Sequence, residues 1–367
     1  MSIVIGLIAG TTALASIMTM QSVKGYRRFK KKTVDDSHHD RPSVSVCIAA
    51  RNETHALAEC LQRVLASEYE KLEVIVYDDT SEDDTSLIVK SYAHAGVRFV
   101  EGETLPTGWL GRNYAFDTLA REANGTLILM MNVDVYITPT TITEVVDYLL
   151  DTNMDMVSII PGRSSVWKNS VVFGVLYYYW QLLLSTKAQP AASEALWMIR
   201  RKTLIDGFGG LLSINNKLLV GYELAKRLGT HRYHCLLNTD ELGVTWEKKL
   251  STQRELSVRE LYPLAGETIP GFVAALGALL LLAIPPLGVI AGIITGDGVA
   301  TVAWLVLELW LMSLYGWYTT RVWAKWAWLG GIVWPYVVVQ ELVLLVVSVI
   351  KHKTRRVTWK GRSLYEK

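Results

Sequence analysis

The chain has 367 residues, half of them hydrophobic, with a formal net charge of +2 and a mean hydropathy of +0.23. A charge so near neutrality excludes a protein that binds nucleic acid through bulk charge, and the hydropathy is high for a soluble enzyme. The basic residues instead cluster at Lys24–Lys32 and Lys351–Arg362, each beside a long apolar run, as membrane flanks do. Cys47, Cys60 and Cys235 have neither metal-site nor disulfide spacing, which fits a reducing compartment.

Ser2–Met20 is apolar and uncharged, and Lys24, Arg27, Arg28 and Lys30–Lys32 follow it. A cleaved leader carries its basic residues before the apolar core. Residues 1–22 are therefore expected to be a retained transmembrane helix with the following chain in the cytoplasm. A basic linker, 23–42, leads past Pro42. From Val44 the pattern alternates between strand and helix. Strands are predicted at Val44–Ala50, Leu72–Tyr77, Val97–Val100, Thr126–Val135, Met156–Ile160 and Leu196–Arg200. Helices are predicted at His55–Ala66, Asp83–His94, Asn113–Ala123, Thr141–Leu150 and Asn215–Leu228. This alternation predicts an α/β domain over 43–250, with a mostly parallel, doubly wound sheet.

Within that domain Val171–Leu184 is apolar and rich in tyrosine, yet short for a span. Its two readings are an interfacial helix over 170–185 and an ordinary core helix. Residues 251–270 alternate charge and apolarity and are expected to lie along a membrane surface. Gly271–Ile294, Val299–Thr319 and Leu329–Ile350 are each long enough to cross a bilayer, which makes 271–350 a transmembrane region and 351–367 a basic tail. Three full crossings would put that tail outside, whereas its charge places it inside. One segment is then re-entrant or split, and Gly271–Ile294, with Pro285-Pro286, is the candidate. Glu308 and Glu341, inside the other two segments, are positions expected to face protein or water.

Four short stretches carry chemistry. The buried strand Thr126–Val135 ends on Asp134, at the strand end where open α/β sheets bind ligands. A carboxylate there can hold a hard divalent cation and through it a diphosphate; the alternative is that Asp134 merely begins the turn before Pro139. Ala50-Arg51-Asn52-Glu53 follows the first strand and offers N–H groups and a cation to a nucleotide. Asp78-Asp79, after the second, can accept a hydrogen bond from a base N–H, with Ser81 or Asp83 capping the next helix. A plain acidic cap explains Asp83 but not the paired acid. Gly108-Trp109-Leu110-Gly111-Arg112 precedes a helix; the glycines allow close backbone approach and Arg112 can fork onto a phosphate, or the stretch is only a turn before a capped helix.

In order and spacing these stretches resemble the family 2 glycosyltransferases of GT-A fold over about Val44–Leu228. The Gly-Trp-Leu-Gly-Arg element and the tail Thr358-Trp359-Lys360-Gly361-Arg362 look like those of the hopanoid-associated, carotenoid and ceramide-type lipid glycosyltransferases. The resemblance implies a Rossmann-like catalytic domain on the cytoplasmic face of the cell membrane, in a multi-pass protein. It implies transfer of a sugar from a nucleotide sugar, first of all a UDP-sugar, to a lipid or lipid-linked acceptor, with inversion. By the same resemblance Ala50, Arg51, Asn52, Glu53, Asp78, Asp79, Gly111, Arg112, Asn132, Val133 and Asp134 would bind the nucleotide sugar. Asp134 would ligate Mg²⁺ or Mn²⁺, acting as a Lewis acid on the leaving nucleotide. The expected partners are the donor, a lipid acceptor and the membrane, with no nucleic acid.

The chain departs from the family pattern twice. Asn132 stands where an Asp-x-Asp element has its first acid; it still offers a carbonyl oxygen but carries no charge, which lowers the expected metal affinity. Val220-Gly221 stands where an acidic pair would supply the base. Glu223 and Asp240 are the candidate bases that remain, with Glu241 beside the latter. Gln253-Arg254 is only a fragment of the Gln-x-x-Arg-Trp motif of processive members, which argues against a polysaccharide synthase. A second reading follows from the departures: a catalytically degenerate relative serving as a nucleotide-sugar-binding membrane scaffold. A third, a transporter with a cytosolic domain, is motivated by Glu308 and Glu341 but opposed by too few spans and no internal repeat.

Overall fold

The computed structural model describes residues 2–30, 40–163, 173–322, 327–359 and 362–363. Val44–Ala50, a run whose side chains alternate between two apolar environments, forms β1 at the middle of the main sheet. Parallel β2 (Leu72–Asp78) flanks it in register from Val44↔Leu72 to Ala50↔Asp78, and parallel β4 (Leu127–Met131) lies on its other side. With β3 (Val97–Glu101), β6 (Met156–Ile160), β8 (Leu196–Arg200) and β9 (Tyr233–Leu237) the order is β3-β2-β1-β4-β8-β6-β9. Only β8 runs against its neighbours, pairing antiparallel with both β4 and β6. β9 is a strand that the sequence pattern did not announce. A small second sheet joins β5 (Val135–Tyr136), β10 (Thr245–Trp246) and β7 (Gly162–Arg163).

The two-residue period of β1 divides the core. Val44, Val46, Ile48 and Ala50 point to one face, where they meet α2 (Leu57–Leu65), α3 (Thr85–Ser91) and α5 (Thr141–Asp151). Cys47 points to the other, packed with α4 (Gly111–Glu122) and α7 (Val220–Leu228). Helices on both faces make the sheet doubly wound, as the alternation predicted. α7 begins later than the predicted Asn215. The buried side chain of Asn113 donates to the carbonyls of Ile214, Asn215 and Lys217, holding that stretch as a loop and a short 3₁₀ turn.

The second face has no outer boundary: its core continues into the apolar helices. α6 (Tyr177–Leu184) carries Tyr179 against Tyr318, with ring centroids 4.5 Å apart, and Tyr177, Tyr178 and Leu182 are likewise buried. The interfacial reading of 170–185 therefore gives way to the core-helix reading over Tyr177–Leu184; residues 164–172 lie outside the described residues. The reason is tertiary: α1 (Ser2–Phe29) covers the outer side of α6, with Gly25 so close that a Cβ there would lie 2.8 Å from Leu182. α1 itself runs past residue 22 into the expected linker, to Phe29.

Among the described residues, four helices are long and apolar enough to cross a membrane: Ser2–Phe29, Ile269–Thr295, Gly298–Arg321 and Trp328–Lys353. The first C-terminal one, expected to be re-entrant or split at Pro285-Pro286, is instead one continuous helix, α9, over Ile269–Thr295. Pro285 has no N–H for the carbonyl of Leu281, four residues earlier, and the Thr11 hydroxyl of α1 donates to that carbonyl instead, at 3.4 Å. α10 (Gly298–Val322) returns beside α9 through a two-residue turn, with Gly288 and Gly292 of α9 against Trp304 and Thr301.

α11 (Trp334–Lys353) behaves differently. Along it, Tyr336 and Gln340 accept from Arg254, Glu341 accepts from the Leu176 N–H and the Trp180 indole, Ser348 accepts from the Tyr262 N–H, and His352 meets the Arg259 carbonyl. Its partners belong to α6, its lead-in and α8 (Leu250–Leu264). The bonded stretch from Tyr336 to His352 spans roughly 24 Å at helical rise. α11 thus runs beside the α/β domain rather than away from it. Glu341 is spent on holding α11 to α6.

Candidate active site

At the end of β4 the chain leaves the sheet through Asn132-Val133-Asp134, with the Asn132 N–H bonded to the Ala195 carbonyl and Val135 closing the turn on Asn132. β5 then pairs with β10, which brings Lys248 to Asp134. The Lys248 ammonium lies 2.9 Å from Asp134 Oδ2, while Oδ1 is buried without a hydrogen-bond partner. Arg112, in the first turn of α4 and stacked over Phe116, donates to the Asn132 side-chain oxygen at 3.4 Å and to the Glu194 carbonyl at 2.5 Å.

These groups open into a cavity of about 740 Å³. On the sheet side Glu53, Arg112, Asn132, Val133, Asp134 and Glu194 line it. On the other side it is closed by Arg259 and Glu260 of α8, by Lys351 at the end of α11, and by Val357 and Thr358 beyond it.

The remaining predicted nucleotide-binding residues sit at the same sheet edge. The ends of β1 and β2 are paired at Ala50↔Asp78. Arg51 is buried and donates to the Asp79 carbonyl at 2.5 Å and the Thr80 hydroxyl at 2.8 Å. The Asp78 carboxylate accepts from the Ser81 and Ser86 hydroxyls. Asn52, in the left-handed region with φ 51°, holds the Glu82 N–H through its side-chain oxygen at 2.9 Å. Ala50, Arg51, Asn52, Asp78 and Asp79 thus form a pair of interlocked loops next to the cavity without lining it; Gly111 is the first residue of α4, adjacent to Arg112.

Glu223 and Asp240 are not brought there. Glu223 is half-buried on α7 and does not line the cavity. Asp240 is exposed at the mouth of a separate space of about 780 Å³ bounded by Tyr26, Trp317 and Arg321. The carboxylates that do line the Asp134 cavity include two that sequence reasoning missed, Glu194 and Glu260, both buried. Glu194 was hidden by strand direction. It precedes β8, and because β8 is antiparallel to β4, with Met131 opposite Leu196, its beginning lies at the edge where β4 ends. An acid beside an apolar strand was the available signal. Burial pushes the Glu194 carboxyl above the usual carboxylate range, against the pull of Arg112 and of the N–H groups of Gly221 and Tyr222.

The fold is that of the GT-A glycosyltransferases. The chain is similar over 98% of its length to 99% of the mannosyltransferase PcManGT from Pyrobaculum calidifontis, solved with GDP-Man and Mn²⁺, with a TM-score of 0.62 at 18% identity. It also aligns with S. aureus TarS in complex with UDP-GlcNAc, at 15% identity and a TM-score of 0.40 over 85% of this chain and 92% of that one. Glucosyl-3-phosphoglycerate synthase from Mycobacterium tuberculosis, solved with Mn²⁺ and UDP-Glc, aligns at 17% identity and a TM-score of 0.37 over 61% and 79%. Residues 45–206 match the family described as Glycosyl transferase family 2, which together with the shared fold supports a glycosyltransferase. No curated protein sequence matches the chain.

Proposed function

We propose that the protein transfers a sugar from a nucleotide sugar to a lipid or lipid-linked acceptor at a membrane surface. The observation that carries this reading is the composition of one cavity. Its sheet side presents Asp134, Asn132 and Arg112, and its other side is built from α8, the end of α11 and the segment after it. A donor bound at the sheet edge would therefore react beside the apolar helices, where a lipid hydroxyl or phosphate is the accessible acceptor.

The site suits a divalent cation. The orphaned Asp134 Oδ1 and the amide oxygen of Asn132 are hard donors, and a nucleoside diphosphate supplies the rest of such a shell. When bound, Mg²⁺ or Mn²⁺ would stabilise charge on the leaving diphosphate. Asp134 and Asn132 would hold it, Arg112 would orient the phosphates, and the interlocked loops at Arg51 and Asp78-Asp79 would take the nucleoside.

For the membrane, α1, α9 and α10 would cross and α11 would lie in the interface against α8. Arg27 and Arg28 of α1, Arg321 of α10 and Lys351–Lys353 of α11 all fall in last turns, and this arrangement brings those ends to the side of the catalytic domain, which the distribution of positive charge makes cytoplasmic.

The test uses washed membranes containing the full chain, supplied with labelled UDP- and GDP-sugars and Mn²⁺ or Mg²⁺. Metal-dependent label in the organic extract, lost in Asp134→Ala, supports the reading and identifies the donor. Nucleotide binding without label from any donor supports the alternative, a degenerate binding scaffold. That alternative is favoured by one observation, the pairing of Asp134 with Lys248 beside an uncharged Asn132.

A further inference from the structure

We propose that Glu194 is the base that accepts the acceptor hydroxyl's proton, carried into the cavity by the lead-in to β8 and anchored on the first turn of α7. This deepens the reading of the protein as an active nucleotide-sugar transferase and rests on it. The two oxygens of this buried carboxylate do different things. Oε1 accepts the Tyr222 N–H at 3.0 Å, one of the first-turn donors that has no partner inside its helix. Oε2 has no hydrogen-bond partner, and its nearest cation is Arg112 Nη2 at 3.8 Å. One oxygen fixes the group and the other is left to do chemistry. Glu194 lines the same cavity as Asn132 and Asp134.

Gly221 permits the arrangement. A Cβ at that position would lie 3.0 Å from Glu194 Oε1 and 3.2 Å from the Ser193 carbonyl, so a side chain there would press on the carboxylate. Val220-Gly221 puts no acid at the first two positions of α7, and the carboxylate that stands beside them comes from the lead-in to β8. Glu260, the other buried carboxylate of the cavity, is less suited. Its Oε2 is likewise unpartnered, but its Oε1 is committed to an ion pair at 2.8 Å with Arg259 of its own helix, whereas Glu194 is anchored by a neutral N–H.

In the reaction the acceptor oxygen bonds to the anomeric carbon. The bond from that carbon to the phosphate oxygen breaks, its electron pair leaving on the nucleoside diphosphate. The hydroxyl proton passes to Glu194 Oε2 and from there to water. The charged and titratable groups facing Glu194 are Arg112 from α4, Glu260 from α8, and Tyr177 and Tyr178 from α6. Because burial raises the carboxyl's pKa, the ionised base is lost, as pH falls, earlier than for an ordinary glutamate.

The experiment measures kcat, KM for the donor and nucleotide affinity against pH for the full-length protein and for Glu194→Gln, Glu194→Asp and Glu260→Gln. The expected result is a fall in kcat of about 10²- to 10⁴-fold in Glu194→Gln at unchanged nucleotide affinity. The acid limb of the profile, placed above the ordinary glutamate range, disappears in that variant, and Glu194→Asp recovers part of the rate. Glu194→Gln retaining the wild-type rate would overturn the proposal and leave the transferase reading standing. So would loss of nucleotide affinity in both Glu194 variants, which marks a structural role, or an acid limb that vanishes in Glu260→Gln instead. A wild-type protein that binds nucleotide and transfers from no donor would overturn both readings together.

Discussion

At the scale of single residues, the site is a balance of few charges. Asp134 has one oxygen on Lys248 and one orphaned. The ammonium also lies 4.9 Å over the Trp246 ring, which holds it at the cavity without a second carboxylate. Removing it would leave the fold and weaken the hold on a donor diphosphate. Lys248→Ala is expected to raise the donor KM by roughly tenfold, the worth of one charge-assisted hydrogen bond, with little change in Tm. A donor KM equal to that of the wild type would show that the lysine serves Asp134 alone. Arg112 is bound by shape as well as charge, since one terminal nitrogen reaches both the Asn132 side chain and the Glu194 carbonyl. Arg112→Lys, which keeps the charge and loses the fork, is expected to lower kcat/KM by at least about tenfold in the same assay. Arg112 and Asp134 were legible because each stands beside a recognisable turn. Lys248 and Glu194 were not, because their relevance depends on which strand ends meet.

At the scale of elements, the helix pair α9 and α10 is set by small residues and by one borrowed hydrogen bond. A Cβ on Gly288 would sit 2.5 Å from the Trp304 ring, whereas one on Gly277 of the same helix would meet nothing within 4 Å. Gly288→Val is therefore expected to destabilise the helix pair by about 1–3 kcal/mol, and Gly277→Val to leave it unchanged, as read by thermal unfolding in detergent. Equal effects of the two would show that the helices do not pack through Gly288. The continuity of α9 also corrects the expectation drawn from Pro285-Pro286. Of the carbonyls the pair strands, that of Leu281 accepts from Thr11 of α1, which offsets part of the cost of the prolines.

For the whole molecule, the conflict between three apolar segments and a basic tail resolves differently from the sequence expectation. In the arrangement proposed above, α11 is the segment that does not cross, a reading supported by the bonds its side chains make to the domain from Tyr336 to His352. All three native cysteines are buried, so single introduced cysteines report topology cleanly. In intact cells a membrane-impermeant maleimide is expected to label Asp297→Cys, at the α9–α10 turn, and to label Thr354→Cys, just beyond α11, only after permeabilisation. Labelling of Thr354→Cys in intact cells would mean that α11 crosses after all.

Sequence by itself determined the strand–helix alternation, the placement of Asp134 and Arg112 at strand and helix ends, and the presence of long apolar helices. Each depends on periodicity or on a neighbour close along the chain. Tertiary structure alone decided the direction of β8, and with it the arrival of Glu194 at the edge where β4 ends. It also decided that α6 is core and that α11 runs along α8. Those outcomes depend on contacts between residues far apart in sequence, such as Glu194 with Tyr222 and Glu341 with Trp180, which no local pattern encodes. An apolar stretch declares only that it must be covered; what covers it, protein or lipid, is settled when the chain packs.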